Sequence, residues 1–204
     1  MMLWYLVMTD SIVTSQSRIL EEIGDEVMNG NIANYLNKPY SYVLYKYSQS
    51  LGRAVVKFTV TFFIGGLIVC AFIGPIKINL FIIPLILLIV FLAITLNFLI
   101  MASLGVLAFW MEDARSIDFI YSKIIFTLGG MLVPLEIFPV WLYNISIYLP
   151  FSYVAYYPAK LFVAFNYDLF IHVLLIELAW IAVFAVITAM VYKMCVKRIS
   201  INGG

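Results

Sequence analysis

Charge is what this sequence has least of. Only 11% of its 204 residues are Asp, Glu, Lys or Arg and 65% are hydrophobic, where an ordinary soluble domain carries about 25% charged and about 45–50% apolar residues. That balance, with a mean hydropathy of +1.06, excludes a water-soluble globular domain and fits a polytopic membrane protein. The net charge of +1 supplies no basic patch, which excludes a nucleic-acid partner. Cysteine is scarce too: Cys70 and Cys195 fall near opposite ends of different apolar segments, whereas a disulfide needs Cα atoms within about 7 Å. Both read as small buried apolar residues. There is no His-Glu-x-x-His, no close aspartate pair within the apolar segments and no Gly-x-x-x-x-Gly-Lys-Ser/Thr phosphate loop. No metal site, catalytic constellation or nucleotide site is therefore expected in this chain. Met1 to Met8 lacks a basic region and Asp10 follows at once, so a cleavable signal peptide is not expected either.

Proline, in contrast, is concentrated where it is least expected. Residues 129–160 read GGMLVPLEIFPVWLYNISIYLPFSYVAYYPAK, as apolar as a membrane span yet holding Pro134, Pro139, Pro150 and Pro158. Each proline removes a backbone donor and blocks the preceding turn, so one helix cannot carry all four. A water-exposed loop would leave Phe138, Trp141 and Phe151 bare. Broken backbone at membrane depth is tolerated where protein or a wet cavity satisfies it. Residues 134–165 are accordingly expected to form an external re-entrant segment, in which Glu136 would cap a helix N-terminus.

The remaining chain divides into apolar runs and one polar region. Met1 to Val13 is too short to cross a bilayer, which takes about 20 residues, and reads as the tail of a span or as an interfacial anchor. Residues 14–53 hold Arg18, Glu21, Glu22, Asp25, Glu26, Lys38, Lys46 and Arg53 and form the expected water-side segment. Ala54–Ile73 is a span. Ile78–Met111, about 50 Å long as a helix, is one long helix rather than a hairpin, because Glu112, Asp113, Arg115 and Lys123 cluster at one end and only Lys77 lies at the other. Phe119–Val133 begins another span, and Leu169–Tyr192 is the last, ending in Lys193, Lys197 and Arg198. The architecture expected is all-α and polytopic: about four full spans plus a partial N-terminal one, in a single transmembrane domain over residues 1–204. Lysine and arginine mark the cytoplasmic face. That rule puts the polar segment and the C-terminus in the cytoplasm and residues 134–165 outside.

Within the polar region, SRILEEIGDEVMNG places Ile19, Leu20, Ile23, Val27 and Met28 on one helical face and Glu21, Glu22, Asp25 and Glu26 on the other, with Gly30 positioned to end the helix. Such a helix can lie on a membrane surface. Its acidic face is repelled by anionic lipid, which favours a protein partner instead.

Two segments carry a resemblance to a known family. EEIGDEVMNGNIANYLNKPYSYVLY and PLEIFPVWLYNISIYLPFSYVAYYP, in that order and with spans between them, resemble the bacterial type-2 ATP-binding-cassette permeases over about Met8 to Arg198. Ile23, Gly30, Ile32, Tyr35, Leu36, Pro39, Ser41 and Tyr42 match the first pattern; Pro134, Leu135, Phe138, Pro139, Leu149, Pro150, Phe151 and Pro158 match the second. The resemblance implies a permease of the bacterial cell membrane that works with a second permease subunit, identical or related, and exports an amphipathic small molecule, peptide or lipid. It also implies that Ile19, Glu22, Ile23, Glu26, Val27, Gly30, Ile32, Tyr35, Leu36 and Pro39 dock on a separate ATPase subunit, which would hold ATP and magnesium. Pro134, Glu136, Phe138, Pro139, Pro150, Phe151 and Pro158 would form the external gate. The departure from the family pattern is at the front, where only a fragment of a span precedes the cytoplasmic segment.

Glu177, about two turns inside the last span, is a candidate for the substrate path, since ionisable residues in spans are functional candidates by default. A structural partner for it is the alternative. His172 lies nearer the outer interface. The rival functional classes are a membrane-embedded enzyme, for which His172, Glu177, Asp168 and Glu136 would have to converge, and a regulatory membrane subunit.

Overall fold

The computed structural model describes residues 1–16, 18–28, 41–76, 78–107 and 114–202. Those residues form helices and no strand. Among the described residues three segments are long and apolar enough to cross a membrane: Tyr42–Ile73, Leu80–Gly105 and Tyr167–Met194.

The chain opens with α1 (Met2–Ser15) and α2 (Ile19–Met28). The long helix α3 (Tyr42–Ile73) follows. It begins well before Ala54 because Tyr42, Lys46, Ser50 and Ala54, spaced four apart, bury a single face. It stops at Gly74, whose φ of 99° suits glycine alone, and Pro75 prevents any continuation. α1 and α2 then run antiparallel along the whole of α3. Trp4 packs beside Gly66 and donates to the Gly74 carbonyl (3.4 Å), Val7 faces Gly65, Glu22 meets Arg53, and Glu26 meets Lys46 and Tyr42. α1 therefore lies inside the bundle and is not an interfacial anchor. Helix occupies both ends of residues 14–53, since α1 extends to Ser15 and α3 starts at Tyr42.

A 3-10 turn (Leu80–Ile82), capped by the Asn79 side chain, leads into α4 (Ile83–Leu107). Within Ile78–Met111 the described residues thus form one helical run from Leu80 to Leu107, not a hairpin. α4 is apolar all round, and 61% of its most apolar window is buried, against 6% for α3 and 17% for the last helix. It is the central post. α5 (Ala114–Thr127) has 14 residues, short of the roughly 20 that a crossing takes. The fourth full span expected from Phe119 onward is not among the described helices. Its helix gives way at Gly129-Gly130, where Gly130 adopts φ 68° and any side chain would press on Leu135 and Tyr156.

The proline-broken stretch becomes a 3-10 turn (Leu135–Ile137), α6 (Val140–Ser146), α7 (Pro150–Val154) and α8 (Tyr156–Val163). Pro134 and Pro139 sit at helix N-caps, Pro150 starts α7, and Pro158 lies in the first turn of α8. Those are the positions where a missing N–H costs nothing, so the four prolines divide one apolar run into four short helical pieces. Finally α9 (Tyr167–Asn202) returns alongside α4, where the Thr188 hydroxyl donates to Leu99 O at 3.2 Å.

Candidate functional site

Two polar constellations occupy opposite ends of this bundle. At one end are the start of α3, the end of α4 and α2; at the other are Gly74, the starts of α4 and α9, and residues 134–163.

At the first end α2 is clamped to the long helices. Ile19, Leu20 and Ile23 are 0–3% exposed, and Leu20 approaches so closely that a Cβ on Gly105 would lie 3.3 Å from its Cα. On the opposite face, Arg53 Nη1 and Nη2 donate to Glu22 Oε1 and Oε2 at 2.6 and 2.9 Å. Lys46 Nζ donates to Glu26 Oε1 at 2.5 Å and lies 3.8 Å from Glu22, and the Tyr42 hydroxyl donates to Glu26 Oε2 at 2.7 Å. Lys46 is buried, and a buried cation is tolerated only when paired in this way. On the acidic face of α2, Glu22 and Glu26 are engaged within the chain, and Asp25 is exposed. Gly30, Ile32, Tyr35, Leu36, Pro39 and the side chain of Val27 lie outside the described residues. Sequence reasoning missed Tyr42, Lys46 and Arg53 as partners of α2. Their signal was a basic residue at each end of one heptad on the helix that follows the acids.

At the other end the broken stretch has two layers. The outer one exposes Ile137, Val140, Trp141, Ile145 and Tyr148, whereas Tyr153, Val154, Ala155, Tyr156, Ala159 and Leu161 are 0–1% exposed. The layers are tied by Glu136, which accepts from Lys160 Nζ at 2.7 Å and from the Tyr156 hydroxyl at 2.5 Å. Glu136 does lie in the first turn of its 3-10 helix, but its side-chain partners come from α8, so it is a tie more than a cap. Partial burial raises its pKa, and the hydrogen bonds from Lys160, Tyr156 and its own N–H, with the Lys160 charge, outweigh that and hold it below the ordinary value of 4.5. Helix α1 grips the same layer: the Tyr5 hydroxyl donates to Gly130 O at 2.5 Å, and the Thr9 hydroxyl to Met131 O at 3.0 Å. Phe151 meets the Tyr121 ring edge-on at 6.1 Å. Pro150 and Pro158 are buried, Pro134 and Phe138 half-buried, and Pro139 exposed.

Glu177 is fully buried, and neither carboxylate oxygen has a hydrogen-bond partner. Asp168 and His172 are exposed on the same helix, while Glu136 is tied to Lys160. The four groups an embedded enzyme would need do not converge.

A transport-family model described as "ABC-2 family transporter protein" matches residues 1–203. The chain belongs to the ABC-2 transporter family. It is the membrane subunit, or permease, of an ABC transporter, a family that works with an ATPase subunit in general. No curated protein and no solved structure matches the ABC-2 chain.

Proposed function

We propose that this permease exports an amphipathic small molecule, peptide or lipid from a bacterial cell, driven by a separate ATPase subunit that holds ATP and magnesium and docks at the α2 end. A second permease subunit completes the path. One observation carries the reading: α2 is bonded at once to α3, through Glu22–Arg53 and Glu26–Lys46, and to α4, through Leu20 and Gly105. A displacement of α2 is thereby delivered to two membrane-crossing helices, which is the differential contact that a two-state coupling needs. Arg18, Lys46, Arg53, Lys57 and Lys193 belong to the α2 end, with Lys160 at the other, so the positive-inside rule assigns α2 and the C-terminus to the cytoplasm.

On this reading residues 134–163 are a re-entrant outer gate, and Glu177 lies beneath it on the substrate path. Its burial without a partner supports that role, because ionisable groups inside spans are otherwise disfavoured. Inside-out vesicles carrying the chain and its ATPase should accumulate a fluorescent amphiphile on adding ATP, and vesicles with a hydrolysis-deficient ATPase should not. Equal accumulation in the two would sink the proposal.

A further inference from the structure

Between α1 and α3 runs a groove of about 470 Å³ whose walls include Leu6, Val7, Val60, Ile64 and Ile68 and whose single charged residue is Asp10. Ile64 is nine residues from Ile73 and ten from Ala54, so the groove lies about 14–15 Å from either end of that apolar run. That is the middle of a hydrocarbon core of about 30 Å. The groove opens outward: Val60, Ile64 and Ile68 are 53–56% exposed, and Asp10 is exposed as well.

Among the described residues the Asp10 carboxylate takes part in no ion pair or side-chain hydrogen bond; only its backbone carbonyl accepts, from Thr14. The two cations on the neighbouring part of α3 do not answer it. Arg53 is held by Glu22. Lys57 lies a turn before Thr61, and helix side chains lean toward the N-terminus, which for Lys57 is away from Asp10. A carboxylate at mid-bilayer is disfavoured unless a counter-charge or water meets it. The groove thus asks its occupant for one positive charge and, around it, hydrocarbon.

We propose that this groove is a lateral binding site for a lipophilic organic monocation, with Asp10 as its counter-ion, and that such cations are the cargo class. Its volume falls within the roughly 300–1,000 Å³ of small-molecule sites. The binding claim stands on the groove alone; the cargo claim rests on the permease reading above.

Tetraphenylphosphonium and tetraphenylborate have the same size and shape and opposite charge, and they make the test. The full-length protein in lipid nanodiscs, without ATP, should bind tetraphenylphosphonium saturably and in preference to tetraphenylborate. Asp10→Asn should weaken the cation about tenfold, equivalent to about 1.4 kcal/mol, without weakening the anion. Ile64→Trp, which fills the groove and leaves Asp10 in place, should weaken the cation as well. The site is overturned if Asp10→Asn binds tetraphenylphosphonium like the wild type, or if the wild type binds no more than empty nanodiscs. It is equally overturned if Asp10→Asn separates a dimer into single chains, which would make Asp10 an interface residue. Because ATP is absent, loss of binding leaves the permease reading standing, and loss of ATP-driven transport leaves the site standing.

Discussion

Arg53 grips Glu22 with both terminal guanidinium nitrogens, Nη1 and Nη2, at 2.6 and 2.9 Å, across 31 residues of sequence. A planar fork meeting a carboxylate in this way fixes direction as well as distance. The pair joins the middle of α2 to α3, beside the Glu26–Lys46 and Glu26–Tyr42 bonds one turn away.

Breaking that pair should uncouple more than it unfolds. Both side chains are partly exposed, 38% and 28%, so Arg53→Gln should cost only about 0.5–1 kcal/mol of stability. It should nevertheless lower transport per ATP hydrolysed severalfold. The reciprocal exchange Glu22→Arg with Arg53→Glu should recover part of the loss. Thermal unfolding beside coupled ATPase and transport assays measures both quantities, and a large fall in stability with unchanged coupling would speak against the clamp.

The Glu136–Lys160 tie predicts an acid limit at the outer end. Because the folded-state pKa of Glu136 is lowered from 4.5, its contribution is fully present above that value. It shrinks as pH falls further and is gone below the folded value. Wild type and Glu136→Gln should therefore differ in thermal stability at pH 7 and converge under strong acid. A gap that persists at low pH would assign the difference to another group.

The sequence made the membrane class, the helix over 19–28 and the division of 134–163 by proline legible, because hydropathy, 3.6-residue spacing and missing N–H groups are local properties. It did not reveal where the acids of α2 point. Glu22 and Glu26 resemble a solvated face until Arg53 and Lys46 arrive, and those partners lie on a helix that begins earlier than its apolar run. The short α5 was hidden for a related reason: Gly129-Gly130 reads equally as a bend within a span or as its end, and only the packing of Leu135 and Tyr156 against Gly130 decides. The sequence shows Asp10 only as a charge soon after Met8, since the far wall of its groove, Val60 to Ile68, lies fifty or more positions away.

Glu177 separates stability from transport. Glu177→Gln keeps the shape of a side chain that has no partner to lose, so unfolding temperature should stay within a few degrees of the wild type while transport falls. A protein that loses stability and transport together would show Glu177 to be structural.

Pro139 and Pro150 define where α6 and α7 begin. Replacing both with alanine restores two N–H donors and relaxes the breaks, so transport should fall while ATPase binding, measured by co-purification, is unchanged. Loss of both would make the stretch a structural element rather than a gate.

The central claim, that force enters at α2 and acts on a gate at the far end, is tested most directly by contact. A benzophenone photocrosslinker is placed either at Asp25, exposed on α2, or at Trp141, 65% exposed on α6, in membranes containing the ATPase subunit. The account predicts an ATPase adduct from Asp25 and none from Trp141. An adduct from Trp141, or none from Asp25, would contradict it.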